Sequence, residues 1–348
     1  MTTAAPRRAA TLLGKLLLAL MLTALGLELG TRLLMPEQRF ELIPNTFDPV
    51  CRIRQIPHGR GFVRCPEYAM EFRINGQGLR HDVETEIATR PGRRRVLCLG
   101  DSFTCGMGVA AGQTFAALAD SMLGPGVEVL NAGVCGTGTA EQLAWLADDG
   151  RRLAPDVVVL GFCVNDWTDN TAGGLFSLAG PDSLVQHPAT EGRSLRWLRR
   201  LRAVPGYGTW FARSHFLNRF RQWYAVRLHG RLADQAAGGH DDEAVWRTQH
   251  DLTAALLRRV RRECERAGAA LLVMPIPAVA GSGEPERRQD ALARLLTDEG
   301  FAWLDLRPAM TGDGGGALYY PVDGHWTPAG HRVAAAHLAA RLAPLTPR

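Results

Sequence analysis

Four short blocks in this sequence hold the residue types that acyl transfer needs. Gly100-Asp101-Ser102-Phe103-Thr104 puts a hydroxyl directly after the apolar run Val96–Leu99. A serine there, in a tight glycine-containing turn, stands where a nucleophile should. Asn131-Ala-Gly-Val-Cys-Gly136 follows a second apolar run, and its glycines let backbone N–H groups approach a ligand closely. Asn165-Asp166 offers a side-chain amide after a third run. Far downstream, Asp323-Gly-His-Trp-Thr-Pro-Ala-Gly-His331 supplies an acid and an imidazole before a terminal helix. Together these are a nucleophile, a base, an orienting acid and convergent donors for an oxyanion. Singly, each has an ordinary reading. Gly-Asp-Ser is a common turn, Asn165-Asp166 suits a turn closed by a side-chain bond, and Asp323 and His325 could cap a helix and fill a loop. Four blocks in this order, each just after a predicted element, favour catalysis.

The elements that would position them follow an alternating pattern. Val96–Leu99, Val127–Leu130, Val157–Leu160, Ala269–Met274 and Trp303–Leu306 read as strands. Helical patterns cover Gln113–Leu123, Ala140–Asp148, Glu243–Ala267, Glu284–Glu299 and Pro328–Leu342. Such alternation predicts an α/β protein with a parallel sheet covered on both faces, and in such sheets ligands bind at the carboxyl ends of the strands. Residues 36 to 92 read as an irregular β-containing extension, and about 170 to 242 as a helical insertion.

On these blocks the chain resembles the SGNH superfamily, the GDSL-type hydrolases and acyltransferases. Gly100-Asp101-Ser102 matches the family's nucleophile motif, which implies that role for Ser102. The resemblance also implies oxyanion donors at the Ser102 and Gly136 N–H groups and the Asn165 amide, with His325 as base and Asp323 as its acid. It implies a three-layer, flavodoxin-like α/β/α domain over 93 to 345. Two departures stand out. The third block is usually Gly-x-Asn-Asp, whereas Gly161 lies farther upstream. Many members carry the acid three residues before the histidine, where this chain has Val322. Asp323, two residues before His325, resembles the Asp-x-His-Trp variant of polysaccharide O-acetylation proteins. Asn75-Gly-Gln-Gly-Leu-Arg80 resembles a segment preceding the domain in membrane-anchored members. The function implied is a serine esterase acting through an acyl-enzyme on acylated glycans or other small esters. An O-acetyltransferase for a cell-surface polysaccharide and a non-catalytic glycan-binding protein are the alternatives.

Arg7, Arg8 and Lys15 precede an apolar run from Leu16 to Leu27, the pattern of a secretory signal or signal anchor. No small-x-small cleavage site follows, which favours an uncleaved anchor over 11 to 35. Glu28 and Arg32, four apart, are placed to pair near the outer interface. Positive charge at the amino end keeps that end inside and the catalytic domain outside the cytoplasm, in the periplasm of a Gram-negative cell. Of seven cysteines, Cys51 and Cys65 flank a short loop and suit a disulfide. The other five sit mostly in apolar runs as small hydrophobes.

The net charge is +5, yet Lys15 is the only lysine among 40 basic residues, a bias that speaks of codon usage more than phosphate contacts. The charge is also local. Between Gly192 and Ala233 there are ten arginines and no acid, so the remainder carries 30 basic residues against 35 acidic, or −5. Trp197, Tyr207, Trp210, Phe211, Phe216, Phe220, Trp223 and Tyr224 are interleaved with those arginines. This reads as an amphipathic helical cap with a solvated face, or as a surface at 192–233 for anionic lipid or an acidic glycan. No nucleic-acid partner is expected of an exported domain. The Gly100–Gly108 loop matches neither nucleotide-binding glycine pattern. His325, His331 and His337 recur every six residues, which does not align metal ligands on a helix, and His331 is expected to pack or cap within the last helix. No cofactor and no metal are predicted.

Overall fold

The chain begins with an apolar helix, α1 (Ala4–Leu34), rich in the good helix formers leucine and alanine. Its stretch Ala10–Leu34, with a mean hydropathy of 2.0, is long and apolar enough to cross a membrane, and none of it is buried against the rest of the protein. The Glu28–Arg32 pair forms at 2.7 Å. The structure is a computed structural model. It describes residues 4–36, 39–87, 92–180, 183–191, 193–207, 213–221, 223, 243–277, 284–310 and 317–345.

The extension holds five short strands: β1 (Phe40–Leu42), β2 (Asn45–Asp48), β3 (Arg52–Gln55), β4 (Arg60–Arg64) and β5 (Ala69–Arg73). β2 and β3 form a hairpin, while β1, β4 and β5 form an antiparallel sheet in the order β1-β4-β5. β5 alternates as a half-buried strand should, with Met70 and Phe72 inward and Ala69, Glu71 and Arg73 outward. The inward face joins Val63 and Tyr68 to Cys105, Met107 and Cys135, so the extension packs directly on the loops around Ser102. The expected disulfide is not formed: Cys51 and Cys65 are free thiols. Cys51 belongs to the main core and donates its S–H to Asp48 at 3.4 Å, whereas Cys65 borders the small sheet.

Beyond residue 92 the apolar runs become β6 (Arg94–Gly100), β7 (Val127–Asn131), β8 (Val157–Phe162) and, later, β11 (Ala270–Pro275). They form one parallel sheet in the order β11-β8-β6-β7. The register pairs Val96 with both Val129 and Val157, so the strands end at a common edge. A parallel bridge from Val273 to Trp303 adds the position of a fifth strand, which gives the flavodoxin-like order 2-1-3-4-5. The rest of the expected strand Trp303–Leu306 is not paired as a ladder, because Asp305 caps the backbone N–H of Arg307 at 3.0 Å and starts a short helix.

Strand alternation sorts the two faces. Val96, Cys98, Val129 and Val159 face α3 (Phe115–Leu123) and the last helix, Pro328–Leu342. Leu97, Leu99, Val158 and Leu160 face α4 (Thr139–Asp148) and the long helix Glu243–Arg266. Two helical layers thus enclose the sheet. Two further helices arise at the sheet edge: α2 (Ser102–Cys105) after β6, and α5 (Asp166–Ala172) after β8.

The insertion does not begin as helix. Gly173 caps α5 and Gly174 takes φ +60°, after which β9 (Phe176–Gly180) and β10 (Ser183–Gln186) form an antiparallel hairpin. Its Leu178 and Leu184 pack on the main core. The helix α6 (Arg193–Arg202) and a helical stretch at 215–221 follow. Trp210, Phe211 and Tyr224 lie outside the described residues.

Candidate active site

β6 is flanked by β7 and β8, so the loops leaving these three strands meet at one rim. The rim closes tightly because three positions lack a side chain. A Cβ on Gly100 or Gly161 would overlap the Thr104 side chain, and one on Gly133 would overlap the Cys105 backbone. Thr104, fully buried, fills the space between the strand ends. Asn131 donates to the Thr104 carbonyl at 2.8 Å and accepts from Gly133 N–H at 3.0 Å, tying the second block to the first.

Ser102 is the first residue of α2, and Asp101 caps that helix by accepting from Phe103 N–H at 2.9 Å. The Ser102 Oγ lies 2.8 Å from His325 Nε2, and His325 Nδ1 lies 2.6 Å from Asp323 Oδ2. Gly324, at φ +77°, makes the turn that lets Asp323 and His325, two residues apart, face each other. The Phe103 ring packs on the imidazole, with centroids 4.9 Å apart.

Burial pushes the imidazole down to about 4; the Asp101 carboxylate opposes this and Arg39 adds to it. The ring is therefore neutral at neutral pH. A charged Asp323 can only accept, so Nδ1 carries the proton and Nε2 presents its lone pair to the serine. Burial also pushes Asp101 up to about 6, against the pull of the Phe103 N–H. Asp166, fully buried under the rim, accepts from Thr139 Oγ1 at 2.7 Å, and burial with the nearby Asp101 charge holds it well above the usual range.

The two other predicted donors sit in the flanking loops. Gly136 is exposed and takes φ +79°, a conformation that favours glycine. Asn165 is exposed, and its amide donates to Asp169 Oδ2 at 2.7 Å, which fixes the side chain's orientation.

Four residues of this centre carried no signal of their role in the sequence. Tyr68 O–H donates to Asp323 Oδ2 at 2.8 Å, and the Arg39 guanidinium donates to Oδ1. Glu67 accepts the backbone N–H groups of Val322 and Asp323 at 2.9 and 2.8 Å. The buried Arg80 donates to the carbonyls of Cys105, Gly106 and Val109. Only Arg80 falls in a segment that the sequence singled out. His331 is buried, accepts from Phe115 N–H at 3.1 Å and stacks on that ring, so it caps α3 from the last helix. Burial pushes it down to about 3. Among the described residues, no group of three or more His, Cys, Asp or Glu is placed to hold a metal ion.

Two family models match the chain. Residues 98–186 match the GDSL-like lipase/acylhydrolase family, and residues 240–347 match the SGNH hydrolase-like domain of acetyltransferase AlgX. The chain belongs to the SGNH (GDSL-type) superfamily. Within it, the protein is an esterase or acyltransferase. Similar solved structures include the lipase/acylhydrolase from Enterococcus faecalis, at 15% identity and TM-score 0.44, covering 73% of this chain and 97% of that one. Another is a catalytic mutant of Axe2, an acetylxylan esterase from Geobacillus stearothermophilus, at 15% identity and TM-score 0.42, covering 73% and 96%. No curated protein matches the chain.

Proposed function

We propose that Ser102 is the nucleophile of a double displacement on an acylated glycan or other small ester. The observation that carries this is the hydrogen-bonded series Asp323–His325–Ser102 at the carboxyl edge of the sheet. His325 takes the Ser102 proton as Oγ bonds to the acyl carbon, and Asp323 holds the imidazole tautomer. The Ser102 and Gly136 N–H groups and the Asn165 amide receive the oxyanion, with Asn165 exchanging its Asp169 partner for the substrate. Collapse of the tetrahedral species breaks the ester C–O bond, and His325 returns the proton to the departing alkoxide. Water or a sugar hydroxyl then takes the acyl group by the reverse steps.

Transfer to a polysaccharide hydroxyl is the second reading, favoured by the acetyltransferase-type model over residues 240–347, which include Asp323 and His325. Incubation with an acetylated oligosaccharide, then with its deacetylated form plus an acetyl donor, separates the two by mass spectrometry. Loss of acetyl in water is expected; gain only with the donor replaces hydrolysis by transfer, and neither change rejects both.

Residues 1–35 would anchor the chain, 36–92 form the extension, and 93–345 form the catalytic domain outside the cytoplasm. The insertion would lie on the same membrane. Glu28, near the outer end of α1, accepts from Ser214 Oγ at 2.7 Å and from the His215 and Phe216 amides at 3.0 and 3.1 Å. Exposed Trp197, Phe220 and Trp223, with exposed Arg200 and Arg219, suit anionic head groups at that level. In lipid nanodiscs, amide exchange over 193–223 should slow when phosphatidylglycerol replaces phosphatidylcholine, and salt should reverse the effect. Equal exchange in both lipids, or protection by a soluble acidic glycan instead, rejects the lipid surface.

A further inference from the structure

The acid of the Ser–His–Asp series is not left to the catalytic domain alone. Three groups converge on Asp323, and all come from the extension. Tyr68 donates to Oδ2, the same oxygen that faces His325 Nδ1. Arg39 pairs with Oδ1, and Glu67 holds the backbone N–H groups of Val322 and Asp323. Tyr68 is held in place by burial and by the Tyr320 ring, with centroids 4.8 Å apart. Arg39 lies five residues beyond the end of α1, and its carbonyl accepts from Asn218 Nδ2 of the insertion at 2.7 Å.

We infer that Tyr68 and Arg39 are positioning residues of the catalytic centre, fixing the Asp323 carboxylate against His325, so that the segment between the membrane helix and the first β-strand of the catalytic domain completes the site. This rests on the proposed roles of Ser102 and His325.

A carboxylate on a loop can rotate about its terminal torsion, which has a broad, roughly two-fold profile. A free Asp323 would therefore sample orientations that do not face Nδ1. Donors on both oxygens remove that freedom: Arg39 from one side and Tyr68 from the other leave the second lone pair of Oδ2 to the imidazole. The same contacts set the proton affinity of the ring. Positive charge at Arg39 draws on the Asp323 charge and works against the imidazolium, as does burial, while Asp101 favours it. The remaining charged or titratable neighbours are Glu67 at the Asp323 backbone, Glu41, which pairs with Arg39 at 3.2 Å, Tyr320 beside Tyr68, and the buried His331 behind the last block.

The signs follow from linkage. His325 must be neutral to act as base, so the acid limb of kcat/KM tracks its proton affinity and lies near pH 4 in the intact enzyme. Removing the Arg39 cation, or the Tyr68 proton that competes for Oδ2, leaves more of the Asp323 charge to the imidazolium. The limb then moves up in pH, by about one unit.

The test uses the full chain with Tyr68→Phe, Arg39→Gln and Arg39→Lys, assayed on a p-nitrophenyl ester from pH 3.5 to 8 (a range of roughly the His titration window), beside thermal unfolding. For Tyr68→Phe and Arg39→Gln the expected result is kcat lower by about 10- to 100-fold at an unchanged KM, with the acid limb displaced upward. Arg39→Lys keeps the charge and should return the limb to its original place. Wild-type kcat and an unmoved limb in both variants overturn the inference, as does a loss of activity that matches only the unfolded fraction. Ser102→Ala separates this from failure of the underlying reading. If that variant remains active, the reading falls; if it is inert while Tyr68→Phe and Arg39→Gln behave as wild type, only the inference falls.

Discussion

Ser102→Ala is expected to lower turnover of a short-chain ester by about 10⁴-fold or more, leaving a residue due to binding and oxyanion contacts alone. The size follows from the chemistry. Without Oγ no acyl-enzyme can form, and water would have to attack from a position that the tight turn does not provide for it. The substitution removes one hydrogen bond, to His325 at 2.8 Å, and keeps the backbone N–H at the start of α2. Ser102 is only half-buried, so folding should be little changed. Steady-state kinetics on p-nitrophenyl acetate, with thermal unfolding as control, checks this; equal rates for the variant and the wild type remove Ser102 from the nucleophile's role. A fluorophosphonate probe should label the wild type and not the variant.

Much of the central architecture was legible because strands buried on both faces read as continuous apolar runs. Val96–Leu99 and Val157–Leu160 lie inside β6 and β8, and the last helix matches its expected range of Pro328–Leu342. Thr327 before Pro328 supplied an N-cap and a favourable first-turn residue, so that helix announced its own start. The fifth strand was less legible: Trp303–Leu306 has the composition of a strand, but the Asp305 cap diverts the chain after one bridge. The β9–β10 hairpin was hidden by its shortness: its strands hold five and four residues, of which Phe176, Leu178 and Leu184 reach the core. Ser102, Asp323 and His325 were visible as short motifs because local turns position each of them. The groups that converge on Asp323 were not. Arg39 and Tyr68 are 284 and 255 residues away in the chain, and nothing in their local sequence encodes a contact of that range.

The extension's tie to the turn at Ser102 gives the second large effect, Arg80→Met. Arg80 is buried, and the two terminal nitrogens of its guanidinium donate to three backbone carbonyls, with Gly106 at 2.5 Å, Val109 at 2.6 Å, and Cys105 beside them, while its buried Nε has no partner. These carbonyls belong to the segment that follows Ser102 directly and folds back on it, since Gly106 and Met107 each donate to the Ser102 carbonyl at 2.9 Å. Two opposing consequences follow from losing the guanidinium. Removing a buried charge relieves its desolvation cost, and methionine fills much of the same space. The Cys105 and Val109 carbonyls, however, lose the Arg80 donor while remaining buried, at about 1 kcal/mol or more each, whereas the Gly106 carbonyl keeps the Val109 N–H at 3.3 Å. The second effect wins because only one side of the interaction is replaced; the acceptors are backbone and cannot be made apolar. A net loss of about 2 kcal/mol is expected, which lowers the melting temperature by roughly 4 °C for a domain of this size. Arg80→Lys should recover only part of it, because one ammonium on a flexible stem cannot span three acceptors in the geometry of the planar fork. The loosened turn should also cost activity in the fraction that stays folded, with kcat lower by about tenfold at low temperature. Differential scanning calorimetry with kinetics well below the transition checks both parts. An unchanged melting temperature in Arg80→Met would show that the 105–109 carbonyls find other donors and that the extension does not brace the Ser102 turn.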